Sequence, residues 1–233
     1  MDTEVLPSPP PVADADAPAP RVVLFDFDGV LVHGDTFHLF MRDRYARAPW
    51  RKALVVLVLP WLLLCLVCSW RLAMRSLVHI GLCGLDAPGY REAATRFAAT
   101  LARRPRQFCR DGIRALRLHQ ADGDRVLVVT GCEETLARAV LDELGLGGLD
   151  VVASALRPGW SGMRVARHNV GKRKVEALAA RGITAGAMAY SDSSQDIPML
   201  KLAGAPVLVN ATPAVCKRVE RALGRSVARV AWY

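Results

Sequence analysis

Cysteine is scarce in this sequence, and its arrangement excludes a disulfide-rich secreted domain. The chain has 6 cysteines among 233 residues, without the close spacing of a disulfide framework. Cys65 and Cys68 have C-x-x-C spacing, but no second ligand pair and no His pair lies near them in the sequence. We therefore interpret both as small apolar side chains of a helix rather than as zinc or redox residues. A reducing compartment fits best, so we expect a cytoplasmic protein.

Aromatic residues are also few, which disfavours a surface for nucleic-acid binding. The formal net charge is +9 and 6% of the residues are aromatic. The basic residues are scattered rather than interleaved with aromatic ones, so we expect no nucleic-acid partner. The positive charge instead suits a phosphorylated substrate or an anionic membrane surface.

The first 20 residues lack both the basic start and the apolar centre of a secretory signal. They are rich in Pro, Ala and Asp. This composition predicts a disordered leader over residues 1–20.

Short apolar runs that end in polar residues alternate with helical patterns along most of the chain. This alternation predicts an α/β fold, a doubly wound parallel sheet with helices on both faces. Ligands of such sheets bind beyond the carboxyl ends of the strands. The predicted strands are 22–25, 125–129, 151–153, 187–190 and 207–209, and the predicted helices are 110–119, 133–144, 172–181 and 213–223.

One segment interrupts the alternation after the first strand. Residues 37–109 have helical patterns with no strand between them, which predicts an inserted all-helical cap. The α/β catalytic core, a Rossmann-like core, would then comprise residues 21–36 and 110–233.

Acidic residues follow two of the predicted strands. Asp26 and Asp28 are two apart in an extended segment and therefore share a face, and Gly29 permits a sharp turn beside them. Asp192 and Asp196 follow a later strand. Carboxylates that meet at one sheet edge repel one another unless a cation or proton intervenes. Oxygen ligands of this kind suit Mg²⁺, so we expect Mg²⁺ as the cofactor.

Four motifs in order resemble the haloacid dehalogenase superfamily, in its phosphoserine-phosphatase-like subfamily. They are D-x-D-G-V-L at Asp26, T-G at Thr130, a lysine before the last strand of the motif set, and S-D-S-x-x-D at Asp192. The similarity covers roughly residues 21–210. It implies a Rossmann-like hydrolase core and transfer of a phosphoryl group.

The resemblance implies a role for each matching residue. Asp26 would be the nucleophile that forms an aspartyl-phosphate, and Asp28 the general acid and then the general base. Thr130 would donate a hydrogen bond to a phosphoryl oxygen. Asp26, the backbone carbonyl of Asp28, and Asp192 would hold Mg²⁺.

Two backbone turns and one lysine complete the implied site. Amides around Gly29 and Gly131 would contact the substrate. Lys172 and Lys174 both precede the relevant helix, and the Lys-Val-x-x-Leu frame favours Lys174 as the catalytic lysine. The roles of two acidic residues stay open. Asp196 would orient the lysine, reach the metal through water, or only favour a helix N-terminus, and Asp35 would touch the substrate or cap the next helix.

The cap contains an uncharged apolar stretch at residues 53–70, flanked by basic residues and tryptophans. A single span would place Asp26 and Asp192 on opposite sides of a bilayer. Three options remain: a cap-core helix, a segment that dips into the membrane and returns with a break at Pro60, or a first span followed by a second one, for which the next apolar run, residues 76–85, is short. With residues 75–86, Thr130-Gly131-Cys132 and the Gly171-x-x-Lys174 frame, it resembles type C phosphatidylglycerophosphatases.

We therefore expect a Mg²⁺-dependent phosphatase acting on a phospholipid head group such as phosphatidylglycerophosphate, in the cytoplasm or on the cytoplasmic face of the membrane. A soluble phosphoserine-like substrate is the alternative. Asp28 disfavours carbon–halogen hydrolysis, which needs no acid at this position. A phosphomutase, or a membrane-associated protein that retains the fold without activity, stays open.

Overall fold

The computed structural model describes residues 20–233, so the predicted leader lies outside the described residues except for Pro20. Within this range the chain forms ten α-helices and seven strands. The strands are β1 (Val22–Phe25), β2 (Arg125–Glu133), β3 (Asp150–Gly159), β4 (Gly162–Arg167), β5 (Gly186–Ser191), β6 (Ala203–Val209) and β7 (Ala228–Val230). The helices are α1 (Thr36–Arg47), α2 (Pro49–Leu57), α3 (Leu59–Cys68), α4 (Trp70–Leu82), α5 (Ala87–Ala102), α6 (Arg110–Ala121), α7 (Glu134–Glu143), α8 (Lys172–Ala179), α9 (Ile197–Leu200) and α10 (Pro213–Leu223).

The strands form one sheet in the order β4-β3-β2-β1-β5-β6-β7. All neighbours are parallel except β3 and β4. The central strand is β1, whose Val23 pairs with Val126 of β2 on one side and Met188 of β5 on the other. The carboxyl ends of β1, β2 and β5 therefore lie next to one another.

Alternate residues of β1 pack on opposite faces of the sheet. Val23 and Phe25 belong to a buried cluster with residues of α1, α5, α6 and α7. Leu24 belongs to a second cluster with residues of α8, α9 and α10. Helices thus cover both faces, and the predicted doubly wound α/β fold is confirmed.

The sheet is larger than the sequence patterns predict. Strand β3 continues to Gly159 and turns into the antiparallel β4, and β7 adds an edge beside β6. Neither addition has the buried apolar run used to find the other strands, because most residues of β4 and β7 are exposed or half-buried. Edge strands and hairpins of this kind carry a weaker pattern than a buried parallel strand.

Helices α1 to α5 follow β1 in the chain and precede the return to the core. Helix α4 packs on β4, and Gly84 donates a backbone hydrogen bond of 2.9 Å to the carbonyl of Ser161 in the β3–β4 turn. Helices α3 and α4 pack against each other around a small separate cluster of Leu62, Cys65 and Ala73.

The apolar stretch at residues 53–70 is divided between α2, α3 and the first residue of α4, with short breaks at Val58 and Ser69. Among residues 20–233, no single helix is long and apolar enough to cross a membrane, whereas α2 and α3 pass that test as a pair bent by 63°. The break falls at Val58, and Pro60 lies in the first turn of α3, where a missing N–H is tolerated.

Candidate active site

The nucleophile candidate lies where two parallel strands end side by side. Asp26 directly follows β1, and its backbone N–H donates a 2.9 Å hydrogen bond to the carbonyl of Tyr190 in β5. The residue is 7% exposed. Pairing with β5 therefore fixes the position of Asp26 beside the Ser191–Asp192 segment at the carboxyl edge of the sheet.

A buried lysine bridges two of the predicted acids. Lys174 is 3% exposed, and its Nζ lies 2.9 Å from Asp26 Oδ1 and 2.7 Å from Asp196 Oδ2. Ser191 Oγ donates a further 2.8 Å hydrogen bond to Asp196 Oδ2. Lys172, the alternative lysine, is exposed. Asp196 thus contacts Lys174 directly, which is the arrangement expected of a residue that orients it.

Burial and charge compete over the pKa values of this group. Burial raises the pKa of Asp26, and the Lys174 ammonium opposes that rise. Burial alone would lower the pKa of Lys174, but the carboxylates of Asp26 and Asp196 outweigh it and leave the lysine pKa raised. The lysine is therefore a fixed positive charge next to Asp26.

Two hydrogen bonds from residues 20–233 reach the Asp26 carboxylate, and both go to the same oxygen. The backbone N–H of Phe27 donates to Oδ1 at 2.8 Å, and Lys174 Nζ uses Oδ1 as well. This leaves Oδ2 for a ligand, because a carboxylate oxygen that already accepts two hydrogen bonds is a poorer nucleophile.

A tight turn brings the two ends of the motif set into contact. Gly29 has a φ of +79°, and a Cβ at this position would collide with the carboxylate of Asp192. Only glycine combines this backbone conformation with so close an approach. The turn therefore holds Asp192 beside the Asp26-to-Asp28 loop, and burial raises the pKa of Asp192.

Asp28 lies on the cap side of the same turn. Its Oδ1 accepts a 2.8 Å hydrogen bond from the backbone N–H of Thr36, the first residue of α1. Burial raises the pKa of Asp28 to about 6, and the hydrogen bonds from Thr36 oppose the rise. A carboxyl with this pKa can hold or release a proton near neutral pH, as general acid–base catalysis requires.

Thr130 and Gly131 lie in the last part of β2. Thr130 is fully buried, and its Oγ1 accepts a 2.9 Å hydrogen bond from the backbone N–H of Cys132. The carbonyl of Gly131 accepts a 2.6 Å hydrogen bond from Ser154 Oγ. The hydroxyl proton of Thr130 thus remains for another acceptor, while the backbone at Gly131 is held by its neighbour strand β3.

Asp35 precedes α1 and is exposed. Its Oδ1 accepts a 2.7 Å hydrogen bond from the backbone N–H of His38, so it caps the helix, which is one of its two expected roles. Contact with a substrate is a separate property and stays a prediction.

The residues present fit a magnesium site with few protein ligands. Among residues 20–233, no group of three or more His, Cys, Asp or Glu side chains is arranged to hold a metal. The expected ligand set, however, has only two carboxylates, Asp26 and Asp192, with the main-chain carbonyl of Asp28. Mg²⁺ is commonly held by one or two carboxylates while water and phosphate oxygens complete its octahedron. The carboxylate of Asp196 is already used by Lys174 and Ser191.

A family model described as haloacid dehalogenase-like hydrolase matches residues 23–201. The chain belongs to this family. The match runs from β1 to the end of α9 and contains every predicted site residue, and it confirms the superfamily that the motifs indicated.

Relatives of this hydrolase are known in sequence and in structure. Phosphoserine phosphatase SerB1 of Mycobacterium tuberculosis (strain ATCC 25618 / H37Rv) is 35% identical over 107 residues, which are 43% of this chain and 35% of that protein. The matched region thus spans about a third of the length of this curated relative.

Solved structures show the same fold at low identity. A protein of unknown function from Bordetella pertussis Tohama I has a TM-score of 0.67 at 18% identity, covering 90% of this chain and 99% of that one. A substrate-bound phosphoserine phosphatase has a TM-score of 0.56 at 17% identity, covering 92% and 94%. Both likenesses show the shared fold.

Two polar groups of this hydrolase were missed by the sequence patterns. Asn169 is fully buried and its Nδ2 donates to the carbonyls of Thr130 at 3.1 Å and Val152 at 2.9 Å, so it joins β2 to β3 beside the site. Ser191 supports Asp196. A signal for Asn169 was its position just before the Gly171-x-x-Lys174 frame, although nothing in the sequence locates its two carbonyl partners.

A third missed contact joins the cap to the core. Tyr90 of α5 donates a 2.7 Å hydrogen bond to Glu133 Oε2, and the same carboxylate oxygen accepts from the backbone N–H of Leu136 at 3.0 Å. Both Tyr90 and Glu133 are buried. The sequence indicates Glu133 only as a helix start, because its tertiary partner lies 43 positions away.

Proposed function

We infer that this hydrolase is a Mg²⁺-dependent phosphomonoesterase that works through an aspartyl-phosphate on Asp26. The observation that carries the proposal is the arrangement around that carboxylate. Lys174 and a main-chain N–H bind Oδ1, Oδ2 accepts no hydrogen bond from residues 20–233, and the Asp192 carboxylate packs against Gly29 of the same loop. This asymmetry suits in-line attack on phosphorus by one oxygen.

In the first step Asp26 Oδ2 attacks the phosphorus atom. A bond forms between Oδ2 and phosphorus, the bond from phosphorus to the ester oxygen breaks, and Asp28 gives its proton to that oxygen. Lys174 balances the negative charge of the phosphoryl group, and the Thr130 hydroxyl donates to one of its oxygens. Amides near Gly29 and Gly131 hold the remaining oxygens.

In the second step water attacks the aspartyl-phosphate. Asp28, now a carboxylate, takes the proton from the water as the new oxygen–phosphorus bond forms and the bond to Asp26 breaks. The carboxyl group returns to its starting state and phosphate leaves. Mg²⁺ held by Asp26, the Asp28 carbonyl and Asp192 would supply neutralisation of phosphoryl charge.

Two observations favour different substrate classes. The exposed apolar side chains of α2 and α3 favour a phosphomonoester on a phospholipid head group, such as phosphatidylglycerophosphate, as the resemblance to type C phosphatidylglycerophosphatases implies. The relationship to a protein named phosphoserine phosphatase favours a small soluble phosphomonoester. We place the lipid first because a soluble substrate gives no reason for apolar side chains on the cap surface.

The activity is tested by phosphate release from p-nitrophenyl phosphate with Mg²⁺ and with EDTA. We expect turnover that needs Mg²⁺ and that falls by about 10³-fold or more in Asp26→Asn. Asp150→Asn, a change of an exposed surface acid, serves as the matched control and should leave the rate unchanged. Full activity of Asp26→Asn would contradict the proposed nucleophile.

The substrate class is tested on the same preparation. Phosphatidylglycerophosphate in mixed micelles and phosphoserine are compared by kcat/KM. A higher value for the lipid supports the first assignment, and turnover of phosphoserine alone replaces it with the second.

A further inference from the structure

An exposed apolar surface covers the outer side of α2, α3 and α4. Val67 is 87% exposed, Leu57 76% and Val56 69%. We call the following residues the apolar cap surface: Val56, Leu57, Leu59, Trp61, Leu63, Leu64, Leu66, Val67 and Trp70, all at least 46% exposed. So many large apolar side chains side by side mark an interaction site rather than an ordinary protein surface.

Helices α3 and α4 pack against each other through other side chains. Leu62 and Cys65 are three positions apart on α3 and face Ala73 of α4 in a buried cluster. Leu63, Leu64 and Val67 fall on the opposite side of α3 by helical spacing, and they are 55%, 56% and 87% exposed. The inner stripe holds the helix pair together, so the outer residues are left for a partner.

No single helix of this surface is long enough to cross the bilayer. At 1.5 Å per residue, the ten residues of α3 extend about 15 Å and the thirteen of α4 about 20 Å, against about 30 Å of hydrocarbon. The bend of 63° shortens the reach of α2 and α3 together. The segment also leaves from β1 and returns to β2, which are neighbours in one sheet. Both of its ends are therefore on the same side of any membrane.

The charges around the surface are of one sign. No acidic residue occurs between Asp43 and Asp86, whereas this interval contains six cationic side chains, Arg44, Arg47, Arg51, Lys52, Arg71 and Arg75. Trp50, Trp61 and Trp70 are half exposed or more, and tryptophan rings suit the boundary between head groups and acyl chains. Cations beside an apolar surface complement anionic lipids.

We propose that the apolar cap surface docks on an anionic phospholipid bilayer as a hairpin that enters one leaflet and does not cross it. The outer side chains of α3 enter the acyl region, and Lys52, Arg71 and Arg75 contact lipid phosphates. Docking does not depend on the proposed activity, since none of these residues belongs to the catalytic site.

The test is co-sedimentation of the full chain with vesicles of phosphatidylcholine alone and of phosphatidylcholine with equal parts of phosphatidylglycerol. We expect binding to the anionic vesicles that weakens as salt is raised. Leu63→Glu, at a position 55% exposed, should lower the partition coefficient by about tenfold or more, because a charge replaces a lipid-buried leucine.

A matched variant separates docking from simple charge addition. Leu118→Glu changes a leucine of α6 that is 56% exposed, and it should alter partitioning by less than about twofold. Circular dichroism checks that both variants fold. Asp26→Asn should bind vesicles like the unchanged chain. If the unchanged chain docks but releases no phosphate from any tested monoester, only the proposed activity is refuted.

Two results would overturn the proposal. One is equal partitioning of Leu63→Glu and Leu118→Glu. The other is a chain that ignores both kinds of vesicle and forms a dimer in light scattering that Leu63→Glu abolishes, since a second copy would then cover the surface.

Discussion

The sheet edge around Asp26 buries charged side chains, whereas the outer face of α3 exposes apolar ones. At the sheet edge, charged side chains are inside the protein and each is held by a partner, as Lys174 is by Asp26 and Asp196. On α3, apolar side chains such as Val67 are outside without a partner within the described chain. Burying charges and exposing apolar side chains both cost stability; partners within the protein offset the first cost, whereas only an external partner would offset the second.

The largest expected loss of stability is at Lys174 of the sheet edge. Lys174→Met removes the cation between two buried carboxylates, so the free energy of unfolding should fall by roughly 3–5 kcal/mol. The deficit should shrink as pH is lowered, because burial raises the pKa of Asp26 and a proton then neutralises it. Urea denaturation at several pH values measures both effects.

The matched control for that change is the neighbouring lysine. Lys172→Met removes an exposed charge and should change stability by less than about 0.5 kcal/mol. Equal losses for the two variants would mean that Lys174 does not neutralise the buried acids.

Leucine substitutions compare the stability contributed by the core with that contributed by the apolar cap surface. Leu24→Ala, at a fully buried position in β1, should lower the free energy of unfolding by about 2–5 kcal/mol. Chemical denaturation gives the value. A loss below about 1 kcal/mol would show that the sheet packs more loosely around β1 than the structure indicates.

The contact between cap and core gives an effect of intermediate size. Tyr90→Phe removes the hydroxyl that donates to Glu133 and leaves a buried carboxylate with one bond fewer, at a cost of about 1–3 kcal/mol. Thermal unfolding measures the change. Tyr45→Phe, which also loses one hydroxyl hydrogen bond at a less buried site, is the comparison and should cost less.

The smallest effect is expected on the outer face of α3. Leu64→Ser, at a position 56% exposed, should change the free energy of unfolding by less than about 0.5 kcal/mol in the absence of lipid. A large loss, measured by urea denaturation, would indicate that this side chain is buried within the protein in solution.

Sequence patterns predicted the parts of the molecule that depend on neighbours in the chain. The apolar run before Asp26 and the frame around Lys174 each contain their own signal, and the structure has a strand and a helix start there. Asn169 and Tyr90 have no such local signal. Their roles come from hydrogen-bond partners far along the chain, which only the folded sheet brings near.

The edge strands were missed for a related reason. Strand β4 exists because it pairs with β3 and lies under α4, and its exposed residues leave little apolar periodicity. The apolar stretch at residues 53–70 was recognised as unusual, but its division into two helices with a bend of 63° depends on how the turn at Val58 forms.

Asp28, the proposed proton donor, is joined to the insertion rather than to the core alone. The peptide N–H of Thr36, at the start of α1, holds the carboxyl of Asp28. Any chain of this design that exchanged its insertion for another would have to rebuild that one peptide contact. Without that hydrogen bond, the chain would keep the proposed nucleophile Asp26 but would no longer position the carboxyl proposed to protonate the leaving group. Any replacement of the insertion is therefore constrained by the contact between Thr36 and Asp28.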